Sequence, residues 1–259
     1  MMPHRALVHA RRAATALVGI AAVAGLGGCA AQLGSMAPGA EVLEPNNAFL
    51  SPPPLDRGTF DVSVFKGGAA AAQHPYDQVV MREAPDPSDS ALAVVVREWG
   101  PPVGQRDSMI VNRRTLEPVD EVYFAHGVRY AYTFDGTSVH GTITPAHGSV
   151  RHVAKSYAEP VFALNEVGSL VRALDYQVGM TEVVPLFSEV RRTLQHDTLS
   201  VLRQETKSGH APEYIVRFST PQLTTDYAVN ATSRRILNAV TTIRRTGVET
   251  RYEYPGATG

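Results

Sequence analysis

The sequence predicts a mainly β fold, a strongly curved antiparallel sheet with one short amphipathic helix at about 166–175. Three observations lead there. Apolar and polar residues alternate over many short stretches, glycine-centred turns separate those stretches at hairpin spacing, and one stretch breaks the period. In chain order, Phe60, Val62 and Val64 alternate with Asp61 and Ser63. Val128, Tyr130, Tyr132 and Phe134 alternate with Arg129, Ala131 and Thr133, and Tyr214, Val216 and Phe218 form a third such row. Strands are also expected at 78–82, 91–99, 108–112, 121–126, 138–144, 150–156, 181–187, 198–206, 222–230 and 235–244. His126-Gly127, Asp135-Gly136, Ser208-Gly209 and Thr246-Gly247 supply the positive-φ positions that tight hairpins need, so the strands should run as an antiparallel meander.

Val167, Leu170, Val171 and Leu174 stand at i, i+3, i+4 and i+7, with Asn165 ahead as the expected N-cap. One such helix cannot cover a sheet of many strands, so the sheet must curl on itself. The chain also repeats a pattern. Val111-Asn112 before a polar turn is echoed by Val229-Asn230, and Gly127, Tyr132 and Phe134 are echoed at equal spacing by Gly247, Tyr252 and Tyr254. Two copies are too few for a solenoid and are read as similar hairpins of one sheet.

Composition bounds the function. Lys and Arg number 24 against 25 Asp and Glu, spread along the chain without a basic stripe, so no nucleic acid is expected as a partner. The single Cys excludes a disulfide framework. That residue, Cys29, ends a segment with Arg5, Arg11 and Arg12 followed by a small-apolar run from Ala13 to Gly28, the pattern of an export signal and too short for a spanning helix. Leu26-Gly27-Gly28-Cys29 resembles the bacterial lipobox, which implies diacylation of Cys29, removal of residues 1–28 and N-acylation, palmitate being one such chain. Several acyl chains suffice for stable attachment, so the resemblance makes the membrane a partner through acylated Cys29. Ala30 in place of an Asp after the Cys points, in such lipoproteins, to the periplasmic face of the outer membrane. Residues 29–58, rich in Ala, Gly, Pro and Asn, read as a flexible tether, on which Phe49, Leu50 and Leu55 could instead dock, and residues 59–259 read as a single antiparallel β domain.

The unit Val111-Asn112, Thr115 and Pro118, followed by Tyr132 to Gly136 and a mid-chain helix near Leu170, resembles uncharacterised bacterial envelope proteins related to the lipoprotein carrier and receptor (Lol-type) fold. The resemblance covers about residues 90–245. It implies a half-barrel whose hollow face is covered by helices and receives acyl chains; this chain has one clear helix where that group has several. Taken with the aromatic row, it makes Tyr130, Tyr132, Phe134, Leu170 and Leu174 the residues expected to face a hydrophobic ligand.

Catalytic and metal chemistry leave weaker marks. His140, His147 and His152 are the only close histidines, with no carboxylate beside them, and no metal or other cofactor is expected. Gly136-Thr137-Ser138-Val139-His140 resembles a nucleophile elbow without its last Gly, but Asp135-Gly136 is expected to make a hairpin, not a strand-to-helix turn. Glu98, Asp120, Glu121 and Glu182 lie on different strands and mark no acid/base pair. Trp99 reads as the end of a buried strand or the lip of an opening, and Arg191-Arg192, Arg234-Arg235 and Arg244-Arg245 as solvated strand ends or sites for anionic headgroups. No catalytic residue is assigned. Three functions compete in this order: a module binding a lipid or other hydrophobic ligand, an interaction or scaffolding lipoprotein with a filled core and an envelope protein partner, and a hydrolase.

Overall fold

The computed structural model describes residues 40–47, 50–71, 76–100, 104–206 and 211–254. The strands are β1 (Glu41–Val42), β2 (Arg57–Lys66), β3 (Ala69–Ala70), β4 (Gln78–Pro85), β5 (Leu92–Trp99), β6 (Arg106–Asn112), β7 (Pro118–Ala125), β8 (Val128–Asp135) and β9 (Ser138–Pro145). There follow β10 (Arg151–Ser156), β11 (Phe162–Ala163), a 3-10 turn at Leu164–Glu166, and α1 (Val167–Ala173). The chain continues through β12 (Thr181–Ser188), β13 (Thr193–Glu205), β14 (Glu213–Ser219), β15 (Leu223–Asn230), β16 (Ile236–Ile243) and β17 (Val248–Glu253). All described strands belong to one large, strongly curved and unclosed sheet, a half-barrel.

Two antiparallel meanders make up this sheet. One runs from β4 to β10 and the other from β12 to β17, and they join where β2 pairs with β17, Val62 opposite Tyr252 and Val64 opposite Thr250. Strands far apart in sequence, β2 and β17, therefore meet in the middle of the sheet, while β10 and β12, close in sequence, lie towards its two edges. Strand β12 has its outer edge covered by β1 and β11, both parallel to it, with Glu41 opposite Glu182 and Phe162 opposite Leu186. Strand β10, the other edge, pairs with β9 alone among the described strands. Its residues are exposed except Val153, and Arg151 and Lys155 stand on it, charges of the kind that discourage further strand pairing.

The repeated sequence pattern is a repeated structure. In the β6–β7 turn the Asn112 side chain accepts hydrogen bonds from the backbone N–H groups of Arg114 (2.9 Å) and Thr115 (3.1 Å). In the β15–β16 turn Asn230 accepts from Thr232 (2.9 Å) and Ser233 (2.8 Å). Both turns close with a non-glycine residue at positive φ, Leu116 and Arg234, and both hairpins shift register beside the Val.

The segment between the two sheet edges fills the concave side. Val167, Leu170, Val171, Ala173 and Leu174 pack with Phe60 and Met81 of one half and Leu186, Leu199, Val216 and Phe218 of the other. The helix lies where its spacing predicts but has no solvent face. Ser169 and Arg172 are buried too, because the chain from Leu50 to Asp56 straps over the side that an amphipathic helix would expose. Ser51 N–H donates to Ala173 C=O (2.6 Å), and Leu50 bridges to Leu174. Asn165 is not the N-cap. It lies inside the 3-10 turn, Glu166 holds the cap position without a side-chain cap bond, and the Asn165 amide is engaged elsewhere.

The ordered body also begins before residue 59. Leu43 is fully buried, Asp56 is buried, and β1 is part of the sheet, so the described part of the expected tether, from residue 40, lies on the body. Isolated anchors such as Leu43 and Leu50 have no period, and that is why alternation does not reveal them.

Candidate functional site

The concave wall and the segment Val161–Leu174 that fills it, called here the plug, form the candidate site. Apolar burial holds the plug, because a fully buried Leu contributes roughly 1.5–3 kcal/mol while a buried ion pair about breaks even against its desolvation. The polar contacts orient it. Near its carboxyl end Arg172, with no exposed surface, donates to Glu83 Oε1 (2.6 Å), to Arg234 C=O (2.9 Å) and to Pro54 C=O. Arg234 in turn lies over the Tyr176 ring and donates to Leu174 C=O.

At its amino end the plug is tied to carboxyl groups. Leu164 N–H donates to Glu189 Oε1 (2.9 Å) and Asn165 Nδ2 to Glu121 Oε1 (2.7 Å). Glu121 reaches both Glu189 and Asp107, so three buried carboxyl groups from β6, β7 and the turn after β12 meet in one place. Arg97 Nη1 lies 3.9 Å from Asp107 Oδ2, too far for a hydrogen bond, and neither oxygen of Asp107 has a hydrogen-bonding donor among the described residues. Burial raises the Asp107 pKa to about 6 against the pull of Arg97. Burial, with the Asp107 charge, raises Glu189 to about 7, and burial with the charges of Glu189 and Asp107 carries Glu121 well above the ordinary carboxylate range. Glu166, fully buried one residue beyond Asn165, is also pushed well up by burial.

The expected ligand-facing residues fall into two groups. Leu170 and Leu174 are fully buried beneath the strap, in the cluster that joins the plug to the far half of the sheet. Tyr132 and Phe134 belong to a second cluster and both meet the edge of Phe187, with ring centroids 5.0 and 6.0 Å apart. Tyr132 also donates its hydroxyl to Glu189 C=O (2.7 Å). Tyr130 is half-buried and stacks on Tyr123 at 5.9 Å. Two clefts open on the surface. One, about 610 Å³, is lined by Pro54, Asp56, Arg57, Glu83, Arg172 and Arg235. The other, about 470 Å³, is lined by Asp120, Glu121, Arg129, Tyr132 and Gly141 among others. Neither is lined by Leu170 or Leu174.

Other sequence features find ordinary places. His140, His147 and His152 are exposed, and among the described residues no group of three or more His, Cys, Asp or Glu is arranged to hold a metal ion. Asp135-Gly136 does make the β8–β9 hairpin, with Gly136 at φ 55°, and Ser138 opens β9. Trp99 is half-buried, edge-on to Tyr123. Arg235 sits 3.0 Å from Asp56 and over the Tyr254 ring. Cys29 and its preceding Leu26, Gly27 and Gly28 lie outside the described residues, as does Phe49. No helix among the described residues is long and apolar enough to cross a membrane.

Sequence reasoning missed Asp107, Glu189, Glu83 and Arg172, and read Glu121 as scattered. A signal was present for three of them. Asp107 shares the strand phase of Met109 and Val111, Glu121 that of Tyr123, and Glu83 that of Val79 and Met81, so each is a charge on an apolar face.

No family model matches the chain, and no curated protein does. Among solved structures, the chain is similar to a DUF1329 family protein from Desulfovibrio piger, with 12% identity over 77% of this chain and 82% of that one and a TM-score of 0.26.

Proposed function

We propose that the chain is a bacterial envelope lipoprotein, held on the periplasmic face of the outer membrane through acylated Cys29, whose half-barrel binds one hydrophobic ligand on its concave wall. The observation that carries the ligand reading is the way that wall is covered. A segment outside the antiparallel ladder, with a seven-residue helix, lies on a continuous apolar surface that includes Phe60, Met81, Leu199, Val216 and Phe218. Apart from the two residues of β11 that pair with β12, such a segment can leave without breaking the antiparallel ladder, and its departure would offer an acyl chain an apolar trough. The ligand and the plug then compete for one surface.

Photocrosslinking tests this. A diazirine analogue of palmitate added to the purified protein is expected to label peptides of β13, β14 or the plug, and unlabelled palmitate to suppress the label. Label confined to exposed strands, or none, would contradict the reading. Attachment is tested separately: an alkyne-tagged fatty acid fed to cells should mark the wild-type chain and leave Cys29→Ser unmarked.

The full burial of Leu170 and Leu174 favours a second reading, the scaffolding lipoprotein with a filled core. Under it, crosslinking in intact cells traps one dominant protein on the body and the palmitate analogue does not label the wall.

A further inference from the structure

The two ends of the plug are held by different chemistry. At the carboxyl end a cation meets a carboxylate, Arg172 on Glu83. At the amino end two neutral donors, the Leu164 N–H and the Asn165 amide, meet two members of a cluster of three carboxyl groups. Among the described residues the charged or titratable groups at the cluster are Arg97 on β5, which acts on Asp107, and Tyr123 on β7 and Tyr132 on β8, which feel its carboxylates; Tyr130 and Arg192 act in turn on those tyrosines. The plug itself adds Asn165 and Glu166, and Glu166 feels Arg97 and Glu117. Among the described residues Arg97, 3.9 Å from Asp107, is the cation whose charge acts on Asp107, one against three carboxyl groups, so full ionisation leaves like charges buried together.

We propose that the 3-10 turn Leu164–Glu166 is a proton-operated latch: while the Asp107–Glu121–Glu189 cluster holds protons it keeps the amino end of the plug on the wall, and loss of those protons frees that end and uncovers the apolar trough. The proposal rests on the ligand reading only for what the trough receives. Geometry places the cluster against the plug itself, because Glu189 Oε1 and Glu121 Oε1 are the acceptors of Leu164 N–H and Asn165 Nδ2, so departure of that end is what would bring water to the carboxyl groups. It also localises the response. The ionised cluster repels within itself by more than its two N–H donors offset, and water relieves that repulsion only where the Leu164–Asn165 end lifts, whereas Arg172 and the strap hold the other end. Raised carboxyl pKa values, from burial, agree with proton loss near neutrality.

Hydrogen–deuterium exchange of the full chain tests the latch. Protection of the amides from Leu164 to Ala173, corrected for the intrinsic rate, is expected to fall by at least about tenfold between roughly pH 5 and pH 8, since one proton released on opening is worth up to about tenfold per pH unit. Amides of β14 and β15 should keep their protection. Glu121→Gln, which retains an acceptor for Asn165, should remove most of the fall. If that variant does not fold, Asp107→Asn makes the same change without touching the plug and should have the same effect. Unchanged protection of Leu164–Ala173 across this range, or an undiminished fall in Asp107→Asn, overturns the latch. Palmitate binding followed in the same samples separates the two ideas. Uptake that rises as protection falls supports both, whereas a latch that opens with no palmitate bound at either pH supports the latch and removes the ligand reading.

Discussion

Removing the guanidinium of Arg172 leaves Glu83 as a buried carboxylate whose ion pair is gone, and losses of that kind cost about 3–5 kcal/mol. Urea unfolding of Arg172→Ala should show a loss of that size, while the double variant Arg172→Met/Glu83→Leu should recover most of it; a loss below about 1 kcal/mol in the single variant would mean that the pair is not buried as described. Gly141 is a second sensitive position. A Cβ there would stand 2.2 Å from the Ala131 carbonyl oxygen, on the strand whose Tyr132 ring covers the glycine. Gly141→Ala should cost at least about 1–3 kcal/mol, the range of forced overpacking, read as a lower thermal midpoint. The carboxyl cluster acts with a defined sign. Asp107 and Glu189 bind protons more tightly in the folded chain than in the unfolded one, whose carboxyls titrate near 4, so their stabilisation is full below about pH 4 and is lost as pH rises through about 6 to 7. Urea midpoints should therefore fall between about pH 5 and pH 8, and Glu121→Gln should flatten that slope.

At the scale of elements, period-two alternation located the strands well where one face met the core and the other met water. It was weaker where both faces are covered. Every residue of β12 after Thr181 is buried, and β13 begins five residues before the expected 198, through Thr193 to Asp197, a mostly polar stretch with no apolar alternation to announce it. The plug was legible as a helix from four apolar positions, but its burial on all sides was not, since that depends on a strap with no period of its own. The site was half legible for the same reason: Leu170 and Tyr132 announce themselves as apolar, while Asp107 and Glu121 become neighbours only once β6 and β7 pair, Met109 opposite Glu121. Leu170, with no exposed surface, packs on the far wall. Leu170→Ala should cost about 2–5 kcal/mol on urea unfolding, the usual range for a buried Leu; a cost under about 1 kcal/mol would place the plug outside the cooperative core.

For the whole molecule, the order of strands decides what can move. Because β2 and β17 join the two meanders at the centre, the antiparallel ladder is continuous from β10 through to β12, and the break in it falls at the plug. A curved sheet with its opening beside a separate covering segment has one natural place to admit a guest. Sequence reached the curl by an argument about coverage, one helix against many strands, but could not find the central pairing, which depends on the register of residues nearly two hundred positions apart. Native mass spectrometry asks whether the half-barrel carries a lipid. Wild-type protein and the Cys29→Ser chain are extracted from bacterial membranes without added lipid and sprayed at about pH 8, where the latch is expected to be open. A non-covalent mass of one lipid-sized molecule is expected on the body of both, lost on organic extraction. Bare polypeptide in Cys29→Ser, unchanged after incubation with palmitate, would contradict the ligand reading.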